Sequence, residues 1–254
     1  MFAKQTDYKA RPTVALQQVL VEFPLSPTFS LPGEAEFPSP PALTHSLFHL
    51  ELRLTDSVCD LQAITRIIRN DVGLTAQLFR LAARTIEESP SKISAISEII
   101  IEAGAQNVAA LVAHTRSLPD RLTRHAGGNA AERFWMHARL TALIAEELAG
   151  QSSGQSSKVR QEEAYLAGLL FRLGDLPSVL GWAAIDCTAA DSREVGVRMA
   201  KAWGFPRSLT DVIGGDRDVC GAHGSLALLD IATDADIWAS RLESLAEREY
   251  EARR

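Results

Sequence analysis

After Pro41 the apolar residues recur at helical spacing, and no pair of alternating segments with hairpin punctuation follows. That pattern restricts the body of the chain to packed helices. Leu43, Leu47, Leu50 and Leu54 fall on one face. Asp60 is placed to cap a helix carrying Leu61, Ile64, Ile67 and Ile68 that ends near Asn70-Asp71, and Gly73 opens the next, with Leu74, Leu78, Phe79, Leu81 and Ala82 as its apolar face. Ser94 or Ser97 can cap a helix holding Ile96, Ile99 and Ile100 that stops at Gly104, and a further helix is expected from Ala105 to about Leu118, before Pro119. The Gly127-Gly128-Asn129 turn introduces a long helix from Ala131 to Ala149. Glu162–Leu173, Leu176–Ala183, Ser192–Trp203, Pro206–Ile213 and Ser225 to about Glu247 complete the set, separated by glycine and proline breaks. The fold class expected is all-α.

Two stretches do not fit this pattern. Between Phe23 and Pro41 stand Pro24, Pro27, Pro32, Pro38, Pro40 and Pro41, which remove backbone donors and forbid helix, so residues 1–40 read as an extension and 41–254 as the domain. Phe23, Leu25, Phe29, Leu31 and Phe37 are too apolar for a free tail, and the arm is expected to pack along its own body rather than on a partner. Before it, Val14 to Phe23 fits a strand or a short helix equally well. Residues 150–158, with the run Gly150-Gln151-Ser152-Ser153-Gly154-Gln155-Ser156-Ser157, form a polar surface loop.

Hydrophobic residues make up 46% of the chain and charged residues 23%, a balance that folds rather than remaining disordered. The formal charge of −6 gives no global field to gather phosphate backbones, so nucleic acid is disfavoured as a partner. Cys59, Cys187 and Cys220 are widely separated and odd in number, which fits neither a disulfide framework nor a zinc site and suits a reducing cytoplasm. The polar start lacks a signal-peptide core, and no run reaches the ~18 uninterrupted apolar residues a bilayer requires, so no membrane association is expected.

Five segments in order, Asp60–Ala83 (DLQAITRIIRNDVGLTAQLFRLAA), Ile93–Gly104 (ISAISEIIIEAG), Trp135-Met136-His137, Glu162–Leu176 (EEAYLAGLLFRLGDL) and Glu194–Pro206 (EVGVRMAKAWGFP), resemble the HDOD domain. The resemblance spans roughly Glu36 to Glu247. It implies a multi-helix HD-like bundle, related to the HD phosphohydrolases but non-catalytic, from bacterial signalling proteins. One departure is Leu81-Ala82-Ala83-Arg84, where relatives often read LANS.

HD-type hydrolysis needs several histidine and aspartate ligands, because a divalent metal must be held and must polarise a water. By the resemblance His137 stands where the first metal-binding histidine belongs, but Phe171-Arg172 replaces the histidine-aspartate pair. The later histidines are absent from Val212-Ile213-Gly214-Gly215-Asp216-Arg217. Arg172 is permanently charged and repels a cation, so no metal or other cofactor is expected. Arg172 is expected to pair with Asp175 or another inward carboxylate, or else to lie on the surface at a helix C-terminus. His137 shares a face with Leu140, Thr141, Ile144 and Leu148 and reads as a satisfied core histidine. His137, Arg172 and Trp203 are the candidate lining of a ligand or partner pocket.

Residues 60–84 also match a helix-turn-helix, but Gln77, Arg80 and Arg84 leave only a thin polar stripe for base edges. A catalytic cysteine at Cys59, Cys187 or Cys220 would need a nearby histidine and a lowered thiol pKa, and Cys220 with His223, three residues on in a glycine-rich turn, offers a nucleophile or metal pair only at a spacing common by chance. The run Arg241–Arg254 reads as a solvated helix face, with an interaction tail as the sharper alternative. The function expected is a cytoplasmic signalling or regulatory module that binds a protein partner or a small signalling ligand, with its output domain on another chain and a homo-oligomer left open. The alternatives are a metal-dependent phosphohydrolase of nucleotides or cyclic dinucleotides, and a DNA-binding regulator.

Overall fold

The computed structural model describes residues 37–55, 60–85, 95–118, 129–151, 159–182 and 192–253, and among these every regular element is a helix. The helices are α1 (Thr44–Thr55), α2 (Leu61–Arg69), α3 (Val72–Thr85), α4 (Ile96–His114), α5 (Asn129–Gln151), α6 (Gln161–Leu170), α7 (Leu176–Leu180), α8 (Ser192–Ala202), α9 (Arg207–Gly214), α10 (Arg217–His223) and α11 (Leu226–Ala252). A single 3-10 turn, Leu173–Asp175, joins α6 to α7. The all-helical class expected from periodicity is the class observed.

The first four helices form one layer, with α4 packed against α1, α2 and α3. Asp60 caps α2 as expected, accepting from the Ala63 N–H at 3.1 Å. α4 holds a non-helical Gly104 (φ 78°, ψ 153°), the position read as a helix stop, so two helical segments meet there at a kink. Two boundaries differ from expectation. Ala95, not a serine, stands at the N-cap of α4 with no side-chain cap, and the Ile96 N–H instead donates to Glu162 Oε1 at 3.1 Å, a cap supplied by the start of α6. The helix stops at His114 rather than Leu118 because the chain turns extended there to bridge Ala42: Ala42 N donates to Arg116 O at 2.9 Å and Leu118 N to Ala42 O at 2.7 Å. Among the described residues α4 is also the one helix long and apolar enough to cross a bilayer, but half of it is buried inside the fold.

α5 organises the second layer, packing most extensively on α6 and then on α11. α6 is buried from Ala164 to Leu170, which places the following 3-10 turn against the body. Gly174 in that turn admits no side chain, since a Cβ there would fall 1.6 Å from the Ser192 carbonyl oxygen at the start of α8. One helix went unread: α10, which the glycines at 221 and 224 disguised as a turn. Asp216 caps it, accepting from Asp218 N and Val219 N.

The end of the proline-rich segment, 37–41, lies on the body. Phe37 is buried edge-on to Trp203, Pro40 O accepts from Gln77 Nε2 at 2.7 Å, and Ser39 Oγ accepts from Arg80 Nη1 at 2.9 Å. The rest of the arm, the segment Val14 to Phe23 before it, and most of the loop 150–158 lie outside the described residues. These contacts also overturn the helix-turn-helix reading. Every residue from Val72 to Ala82 is buried, Gln77 and Arg80 among them, so the would-be reading helix has no polar face to offer a groove.

Asp71 ties the two layers together. Fully buried, it caps α3 by accepting at Oδ1 from Gly73 N (2.9 Å) and Leu74 N (3.2 Å), and reaches Leu43 N (2.8 Å) and the Trp135 indole N–H (3.2 Å). Asp71→Ala strands all four donors and should cost about 3 kcal/mol or more in denaturant unfolding. Asp71→Asn keeps the oxygen that serves three of them and should cost clearly less; equal losses would contradict this assignment.

Candidate functional site

The side chain at the centre of the second layer is His137, on the α5 face that meets α11. The sequence places it one turn before Thr141, which is buried, and two residues after the buried Trp135, so its ring faces inward at 8% exposure. Nε2 lies 2.8 Å from Asp236 Oδ1 and Nδ1 lies 3.0 Å from Glu243 Oε2, both on α11. Carboxylates only accept, so both contacts are hydrogen bonds only when the ring is the imidazolium. Burial alone would lower the pKa of His137, and Arg172 lowers it too. The hydrogen bonds to Asp236 and Glu243 outweigh them and hold it above the ordinary histidine value.

Arg172 approaches the same carboxylate from the end of α6. Its Nε donates to Asp236 Oδ1 at 2.6 Å and Nη2 to Asp236 Oδ2 at 2.8 Å, a bidentate clamp. Burial would raise the carboxyl of Asp236, but the hydrogen bonds from His137 and Arg172 prevail and lower it to about 2. Asp236 is therefore the inward carboxylate that Arg172 meets. Asp175 is not its hydrogen-bonding partner and adds only longer-range attraction, because the 3-10 turn carries it to the side. Arg172 also remains 43% exposed at its side chain, so the surface reading captured its position while missing its bond.

A cavity of about 200 Å³ adjoins the cluster, lined by Phe171, Arg172, Asp175, Arg193 and Asp236 among others. Trp203 lies elsewhere: fully buried, it packs between Phe37 and Phe205 with the Arg80 guanidinium 5.3 Å from its ring, so it joins neither the cavity nor the His137 cluster. Cys220 is buried, which pushes its thiol pKa up, the opposite of an activated nucleophile, and the ring of His223 is turned to Asp211 instead. Cys59 and Cys187 lie outside the described residues. The residues that sequence reasoning did not name are Asp236 and Glu243. Their signal was present as a polar stripe, Asp236, Ser240 and Glu243 at helical spacing, beside the buried Ala232, Ala235 and Ala239.

These side chains do not fit a divalent cation. Both ring nitrogens of His137 face carboxylates, both oxygens of Asp236 are taken by Arg172, and a guanidinium stands where a further ligand would have to be.

The HDOD domain model matches residues 40–186. The chain belongs to the HDOD family. No curated protein matches it. Among solved structures, the HDOD chain is similar to the MmoQ response regulator from Methylococcus capsulatus str. Bath, with a TM-score of 0.62, 18% identity, and 82% of this chain and 88% of that one covered. It is also similar to a virulence factor from Campylobacter jejuni subsp. jejuni, with a TM-score of 0.52, 16% identity and 92% of each chain covered. At these identities the likeness is one of fold. The matched family segment ends before α8, yet α11, beyond it, supplies both carboxylates of the His137 cluster.

The cluster has a defined pH signature. The stabilisation from His137, whose folded pKa is raised, is complete below the ordinary value of 6.5 and fades as pH rises through the higher folded value. That from Asp236, whose folded pKa is lowered, is complete above 3.8 and fades as pH falls toward about 2. The Asp236 contribution is about 2 kcal/mol. Denaturant unfolding from pH 2 to 9 should show both declines, and His137→Gln should flatten the one on the alkaline side; an alkaline limb identical in the variant would count against the imidazolium.

Proposed function

We propose that this HDOD chain is a non-catalytic module of bacterial signal transduction that acts by recognition. The observation that carries this reading is the bidentate bond from Arg172 to Asp236, with His137 sharing the same carboxylate. The protein's own cations neutralise the acidic groups that a hydrolytic metal would need. Catalysis of phosphoester hydrolysis through a metal would require a polarised water, whereas in this cluster both ring nitrogens of His137 and both oxygens of Asp236 are already engaged within the protein.

A protein partner is favoured by what α5 and α11 leave in solvent. Met136 and Leu143 on α5, and Ile237, Trp238, Leu242 and Leu245 on α11, are large apolar side chains with 44–69% exposure. Packed helices that expose several such residues present the kind of surface that other proteins cover. The last three turns of α11 bury almost nothing, which accords with a solvated or docking helix rather than a core one. The cytoplasm is the compartment this reading assumes.

Purified protein incubated with manganese and bis(4-nitrophenyl) phosphate should release nitrophenolate no faster than buffer, and His137→Ala should not change that rate. Manganese-dependent turnover abolished by His137→Ala would restore the phosphohydrolase reading.

A further inference from the structure

Away from the His137 cluster, the corner formed by α8, α9 and α10 carries an open cavity of about 760 Å³ that reaches the end of α3. That volume suits a small organic molecule. Phe205, 7% exposed, and Pro206 give the cavity an apolar wall, and Val219 of α10 adds a partly exposed aliphatic face. The charges are unequal. Lys201 and Arg207 bring two cations, while Asp211 is the one carboxylate of the lining.

That carboxylate is already engaged. His223 Nδ1 lies 2.8 Å from Asp211 Oδ2, with Arg207 Nε 4.0 Å from the same oxygen. On its other side the His223 ring meets Arg207 through Nε2 and Nη2, which holds Arg207 over the cavity. The Lys201 ammonium has no ion pair or hydrogen bond among the described residues. An ammonium without a counter-ion, beside a fixed guanidinium and an aromatic wall, stands out in a chain of net charge −6.

We propose that this cavity binds an organic anion carrying a flat apolar ring, with its acidic group on Lys201 and Arg207 and its ring against Phe205 and Val219. The proposal deepens the recognition reading by naming a ligand class and a site separate from His137, and it stands or falls independently of the hydrolysis assay.

The full chain should be titrated with 1-anilinonaphthalene-8-sulfonate, by fluorescence and calorimetry, in parallel with N-phenyl-1-naphthylamine, which has the same rings and no charge. One saturable site is expected for the sulfonate, with the uncharged analogue at least tenfold weaker. Lys201→Glu should weaken the sulfonate at least tenfold and Val219→Trp, which fills the cavity, should abolish it. Both positions are solvent-accessible, so melting curves should match the parent, and Lys201→Gln provides a milder loss of the same charge. Equal binding of the two probes, undiminished binding by Lys201→Glu and Lys201→Gln, absence of a saturable site, or loss of binding on Trp238→Ala instead would each overturn the proposal.

Discussion

The carboxylate of Asp236 is shared by an imidazolium and a guanidinium, and three helical segments meet through it: α5 by His137, α11 by Asp236 itself, and the end of α6 by Arg172. Taking three charged groups partly out of water is unfavourable unless each is paired, and here the geometry pairs all of them, with Glu243 taking the other face of the histidine. The arrangement fixes how the long C-terminal helix lies on the rest. It also depends on the tight packing beside it, where Gly174 lets the start of α8 approach the turn that follows Arg172.

An active metal centre and this cluster place opposite demands on the same atoms. A divalent ion needs free lone pairs on nitrogen and oxygen and an open position for water. Here the nitrogens donate to carboxylates, the oxygens of Asp236 accept from an arginine, and the charge already balances. Membership of the HDOD family and the likeness to solved helical structures fix the fold in which this cluster sits. In the proposed reading, the cation that balances these carboxylates is covalently part of the chain.

Much of the helical layout was legible in sequence because the apolar spacing, the Asp60 cap and the glycine breaks are local signals. The kink at Gly104 was read as a boundary for the same reason. What escaped was set by distant partners. The start of α4 is capped by Glu162, sixty-six residues on, and α4 ends early because the chain must meet Ala42. α10 is short and flanked by glycines, so its periodicity never accumulates. At the site, His137 and Arg172 were identified by resemblance, but their partner was not, since a helix with many acids does not announce which one points inward. Trp203, expected beside them, has its indole enclosed by Phe37, Phe205 and Arg80 in the other part of the core.

The protonation of His137 is the most direct measure of this account. Nitrogen-15 NMR of the histidine ring through a pH titration of the intact protein should place the His137 midpoint above that of an ordinary histidine, unmoved by millimolar manganese and lowered when Asp236 is replaced by asparagine. A midpoint at or below that of an ordinary histidine, or a resonance broadened away by stoichiometric manganese, would contradict it.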